Sequence, residues 1–107
     1  MGEWTRQAAC AGKPTEWWFP EKNRLTAPRV LGALRLCVLC PVRRQCLQEA
    51  MEIPETMDYG IRGGLYDAER RTARRERSEN FHDIDGMLKK ARLRAIRKGL
   101  VKEEEVL

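Results

Sequence analysis

The chain holds four cysteines, Cys10, Cys37, Cys40 and Cys46; the last three form a C-x2-C-x5-C cluster and Cys10 lies far upstream. No other feature constrains the fold as strongly, because four thiolates in this pattern suit one inorganic centre better than two independent disulfides. Two sulfurs joined by a two-residue spacer can grip neighbouring metal atoms, and the outlying cysteine closes the cage. A structural zinc site also takes four thiolates, but it more often pairs two short knuckles, and this chain has one. The spacing favours an iron–sulfur arrangement over zinc, with a two-disulfide scaffold third.

A chain of this kind needs such a staple. Its 107 residues suffice for one small domain plus a tail. Leu, Ile, Val and Phe supply only about a fifth of them, near the level at which disorder competes with folding. Much of the apolar content lies between Val30 and Met51, so the core is marginal unless a metal centre adds stability. The segment Met1-Gly2-Glu3-Trp4-Thr5-Arg6 has no apolar run of a signal peptide, and no stretch is long enough to span a bilayer. These features predict a cytoplasmic protein without a membrane partner, in a reducing compartment where cysteine clusters are more often metal ligands than disulfides.

Helical spacing dominates the patterning. Pro28 suits the first turn of a helix carrying Val30, Leu31 and Leu34 toward Cys37. Pro41 suits the first turn of a second helix through Cys46, Leu47, Ala50 and Met51, with Cys40 near its N-cap, where free N–H groups would favour the thiolate. Gly60, Gly63 and Gly64 punctuate a turn. A charged helix is predicted from Asp67 to about Ser78, a break at Asn80-Phe81-His82-Asp83, and a last amphipathic helix over 84–98. Ile84, Leu88, Ala91 and Ala95 lie along one stripe of that helix, with Lys90, Arg94, Arg97 and Lys98 away from it and Gly99 as its C-terminal cap. The expected fold is all-α: three or four short helices around the metal centre, spanning residues 1–66, followed by a basic, partly helical region, 67–107.

The net charge of +5 is unevenly distributed: basic residues crowd the stretch from Arg70 to Lys98, while Glu103, Glu104 and Glu105 close the chain. Clustered Arg and Lys attract polyanions, nucleic acid foremost; alternatively they form a solvated helix face laced with i,i+4 pairs. His82 is the lone histidine, and no Ser/His/Asp set, phosphate loop or spaced carboxylate pair is present. Neither an enzyme nor a small-molecule substrate is therefore expected.

Taken in order, Trp4, Cys10, Pro14, Trp18-Phe19-Pro20, Cys37-x2-Cys40-Pro41-Val42-x3-Cys46-Leu47, Gly60-Ile61-Arg62-Gly63-Gly64 and Glu69-Arg70-Arg71 resemble the WhiB-like proteins, iron–sulfur transcriptional regulators of actinobacteria and their phages. The resemblance covers roughly residues 4–77. It implies a [4Fe–4S] cluster on Cys10, Cys37, Cys40 and Cys46, and a partner in the C-terminal region of the primary sigma factor of RNA polymerase. By position it implies a sigma-contact role for Trp4, Trp18, Phe19 and the turn Gly60, Ile61, Arg62, Gly63 and Gly64. Promoter DNA would be met by Arg70, Arg71, Arg74, Arg75 and Arg77.

Two positions depart from the family pattern. The turn usually carries a tryptophan where this chain has Arg62, which removes a large flat anchor from a partner interface; Trp17, beside Trp18, offers replacement area. Tyr66 occupies a slot that often holds Ser or Thr in a helix capping box, so Asp67 is expected to take over the cap.

The sequence thus points to a redox- or nitric-oxide-sensitive, non-enzymatic regulator, with Arg35, Arg43 or Arg44 available to balance the cluster's negative charge. The alternatives are a zinc-stapled nucleic-acid-binding module, and a redox protein: an electron carrier, or a thiol–disulfide reductase using Cys37 and Cys40.

Overall fold

The computed structural model describes residues 3–21, 23–76 and 83–106. Five α-helices, α1 (Pro28–Leu39), α2 (Arg43–Glu52), α3 (Asp67–Arg75), α4 (Ile84–Arg97) and α5 (Glu103–Val106), are joined by loops that include 3₁₀ turns at Glu3–Gln7, Thr15–Trp18 and Glu55–Met57. Among the described residues there is no strand, only an isolated bridge between Arg62 and Leu65. The molecule is mostly helical, as its patterning predicts.

α1 starts at Pro28, whose missing N–H costs nothing in the first turn. It buries Val30, Ala33, Leu34 and Val38. α2 begins later than its sequence suggests. Cys40 ends α1, Pro41 and Val42 turn the chain, and Val42 is the N-cap of α2. The Cys40 sulfur takes a backbone N–H from Ala9 at 3.4 Å. α3 also departs from expectation at its start. Tyr66, in extended conformation, is the N-cap, and Glu69 accepts its N–H at 2.9 Å. Asp67 is not the cap; its carboxylate accepts the N–H of Gly60 at 3.3 Å.

α4 closes as its sequence predicts. Gly99, at φ +72°, lets its own N–H reach Ile96 O and that of Leu100 reach Ala95 O, at 3.0 and 2.9 Å, a Schellman ending. At the other end Asp83 caps Gly86 N at 2.9 Å. The predicted break at Asn80, Phe81 and His82 lies outside the described residues, as does the end of the α3 prediction at Ser78.

The core crosses the sequence boundary at residue 66. Val38 of α1, Leu47 and Met51 of α2, and Leu65 pack with Met87, Ala91 and Ala95 of α4, Val101, and Val106 of α5. The basic C-terminal region thus supplies five of the nine buried residues of this cluster. Arg35 donates to Leu100 O at 3.1 Å and pairs with Glu105 at 3.7 Å, which fastens the last turn to α1. A second cluster, Trp18, Val30, Ala33, Leu34 and Ile61, lies under the glycine turn.

A candidate metal centre beside an apolar collar

The glycine turn is the hinge of the site. Gly60, Gly63 and Gly64 all have positive φ, a region L side chains rarely adopt. Gly60 also has no room: a Cβ there would stand 2.5 Å from Trp18 O and 2.8 Å from the Phe19 ring. This closeness lets Ile61 N donate to Trp18 O at 2.7 Å, locking the turn to the aromatic segment.

From below, Arg70 clamps the same turn. It is fully buried, at 0% exposure, and forms a two-pronged pair with Asp58 at 2.9 and 3.0 Å. Its remaining donors reach Gly60 O and Leu65 O, both at 2.6 Å. Arg74 adds a second cation to Asp58 at 2.8 Å and donates to Ala50 O at 2.7 Å. Burial by itself would raise the Asp58 pKa, but the bonds and charges of Arg70 and Arg74 hold the carboxyl below its ordinary value.

These contacts revise the basic set read from the sequence. Arg70 is a structural core residue, withdrawn from any phosphate, and Arg74 is largely spent inside. Arg71 and Arg75 remain accessible, paired loosely with Asp67 at 3.6 Å and Glu55 at 3.8 Å. Arg77 lies outside the described residues. Arg94, placed by the sequence away from the apolar stripe of α4, turns toward the glycine turn. It bonds Glu69 at 2.6 Å and Gly64 O at 2.5 Å and lies 4.9 Å over the Tyr66 ring.

Above the turn lies a cavity of about 460 Å³ lined by Cys10, Cys37, Cys40 and Cys46 together with Trp4, Trp18, Phe19, Val42, Arg43, Met57, Tyr59, Ile61, Arg62 and Gly63. That volume is within the roughly 300–1,000 Å³ of cofactor and ligand sites. The cysteines come from the N-terminal loop, α1, its end and α2, and all four are free thiols. Among the described residues no three His, Cys, Asp or Glu side chains converge on a point that one metal ion would fill. The thiols surround a space instead.

Chemically the cage suits thiolate ligands. Trp18 Nε1 donates to Cys37 Sγ at 3.1 Å, and the Ala9 N–H points at Cys40 Sγ, so two sulfurs already accept N–H donors. Without a metal the apolar walls disfavour the charged form. Burial pushes the Cys37 thiol up to about 12 despite the Trp18 bond. Burial also raises Cys10, helped by the charges of Cys40 and Cys46. Thiolates at these four positions would repel one another, and a positive group between them would relieve that repulsion. A multi-atom iron–sulfur core fits that donor set and that space. Of the arginines proposed to balance its charge, Arg43 lines the cavity, Arg44 is paired with Asp85 and Arg35 faces α5.

The predicted aromatic contact residues separate into two roles. Trp18 is buried and Trp17 stacks on it, centroids 6.1 Å apart; Phe19 is 55% exposed at the cavity rim. Met57 and Tyr59, 68% and 62% exposed on that rim, escaped the sequence reading, because a lone Met and Tyr in a loop carry no periodic signal. With Phe19 and Trp4 they form an apolar collar around the cysteines.

The fold and site define a class: a small helical protein with four cysteines lining one cavity. The model of the family described as Transcription factor WhiB matches residues 4–73. Over 76 residues the chain is 41% identical to the transcriptional regulator WhiB2 of Bifidobacterium longum, covering 71% of each chain. It is 40% identical over 68 residues to WhiB of Streptomyces coelicolor, covering 64% of this chain and 71% of that one. To the redox-responsive transcriptional regulator WhiB3 of Mycolicibacterium smegmatis it is 35% identical over 71 residues, covering 64% and 72%. The chain belongs to the WhiB family of transcription factors. Among the described residues no helix is long and apolar enough to cross a membrane.

Proposed function

We propose that this protein is a cytoplasmic, non-enzymatic regulator that holds a [4Fe–4S] cluster on Cys10, Cys37, Cys40 and Cys46 and docks on the C-terminal region of the primary sigma factor. The observation that carries the reading is the joint lining of one cavity by all four cysteines and an exposed apolar collar. A bound cluster would supply one-electron chemistry and reactivity toward oxygen or nitric oxide. The chain's own part is to shield it. Trp18 and Ala9 donate to two sulfurs, while Val42 and Ile61 keep water from the cage walls.

The collar of Trp4, Phe19, Met57 and Tyr59 would bury its apolar surface against the partner, with the turn Gly60–Gly64 holding the neighbouring backbone in place. Half-exposed Arg71 and exposed Arg75, with Arg77 beyond them in sequence, would add phosphate contacts to promoter DNA near the docked polymerase. Such contacts make free DNA binding weak and salt-sensitive. A thiol–disulfide reductase is disfavoured by the half-buried Cys37, whose raised thiol pKa leaves little nucleophilic thiolate.

The test is iron, acid-labile sulfide and zinc content on anaerobically purified protein, followed by binding to the sigma C-terminal region. About four irons and four sulfides per chain, lost on alanine substitution of any of the four cysteines, would uphold the cluster. One zinc in a colourless protein would favour a zinc-stapled nucleic-acid-binding module.

A further inference from the structure

Arg62 stands where the family turn usually has tryptophan, and its surroundings are unlike those of a surface arginine. Its backbone is held on both sides of the turn: Arg62 N donates to Leu65 O at 3.0 Å, and Leu65 N to Arg62 O at 3.1 Å. Gly63 packs the turn so tightly on α2 that a Cβ there would lie 2.9 Å from Leu47. The side chain lines the cysteine cavity. Its guanidinium pairs with Glu49 of α2 at 2.8 Å, both side chains being mostly buried at 20% and 29% exposure.

Cys46 lies on the same helix, one turn before Glu49, and Arg62 and Cys46 line the same cavity. An arginine guanidinium keeps its charge at any working pH, so the cation is permanent.

We infer that Arg62 is a positioning residue of the cysteine cage, oriented by Glu49 toward the Cys46 edge, where its charge raises the reduction potential of the bound cluster. This rests on the cluster reading above. With four thiolates the oxidised unit carries about −2, and one electron from dithionite takes it to about −3. A fixed neighbouring cation stabilises the more negative state more strongly, so removing it favours the oxidised one.

The test is a dithionite titration followed by electron paramagnetic resonance, on wild type, Arg62→Gln, Arg62→Lys and Arg62→Trp, after iron and sulfide analysis. Loss of the cation in the Gln and Trp variants should shift the reduction equilibrium at least about tenfold, or about 59 mV to more negative potential for one electron. Lys, which keeps the charge without the fork, should shift less. Fully loaded Gln and Trp variants titrating with wild type would overturn the assignment. So would failure of all three to load beside a loaded wild type, which would mark a purely structural role. A wild type free of iron and sulfide would instead overturn the cluster reading beneath it.

Discussion

Trp18 donates its indole N–H to the Cys37 sulfur across 3.1 Å while its own carbonyl accepts the N–H of Ile61. One residue therefore connects the cysteine cage to the glycine turn. Trp18→Phe keeps most of the packing and removes the donor. A hydrogen bond to a charged acceptor contributes about 1.5–3 kcal/mol, so the variant should lose its visible absorbance in air several-fold faster than wild type. Equal bleaching rates would show that the bond is immaterial to cluster retention.

The Arg70–Asp58 pair should behave as a buried ion pair. Asp58→Ala leaves Arg70 and Arg74 facing each other without a counter-charge, and breaking such a pair costs about 3–5 kcal/mol. Arg71→Ala, on the same helix but accessible, should change stability by less than about 0.5 kcal/mol. Denaturant unfolding of both variants at equal iron loading checks the contrast.

Gly60 and Gly12 form a matched comparison, at φ +79° and +78°. Nothing lies within 4 Å of a Cβ at Gly12, whereas one at Gly60 meets Trp18 O at 2.5 Å. Gly12→Ala should cost about 1 kcal/mol for the backbone alone, and Gly60→Ala clearly more, because backbone must shift. The two melting temperatures, read at equal loading, decide it.

Partner affinity should divide the aromatic residues by exposure. Alanine at Phe19, Met57 or Tyr59 should weaken sigma binding about tenfold or more, a loss above about 1 kcal/mol at a contact centre, without lowering iron content. Trp18→Ala should lower both. Calorimetry on variants of measured iron content would reveal a collar of no consequence if the three single variants bound like wild type.

Removal of the cluster should unfold much of the domain, since the cage joins the N-terminal loop to α1 and α2 and the remaining core is small. Chelation under oxidising conditions should lower helical circular dichroism with loss of colour. Unchanged helicity after complete iron removal would contradict the staple argument.

The amino-acid pattern by itself determined the helical class, the first residue of α1, the Gly99 ending of α4 and the set of four cysteines. Pro28 and Gly99 act through local geometry, so their meaning survives without neighbours; Pro41, expected by the same rule to open α2, instead lies in the turn before it. Charge and aromaticity do not share that property. Arg70 and Arg71 are adjacent and chemically identical, yet one is sealed against Asp58 and the other reaches solvent. Trp18 and Phe19 likewise divide into a cage wall and a rim. Only the packing of α3 under the glycine turn, and of α4 across α1 and α2, decided those roles, because burial depends on contacts between segments far apart in sequence.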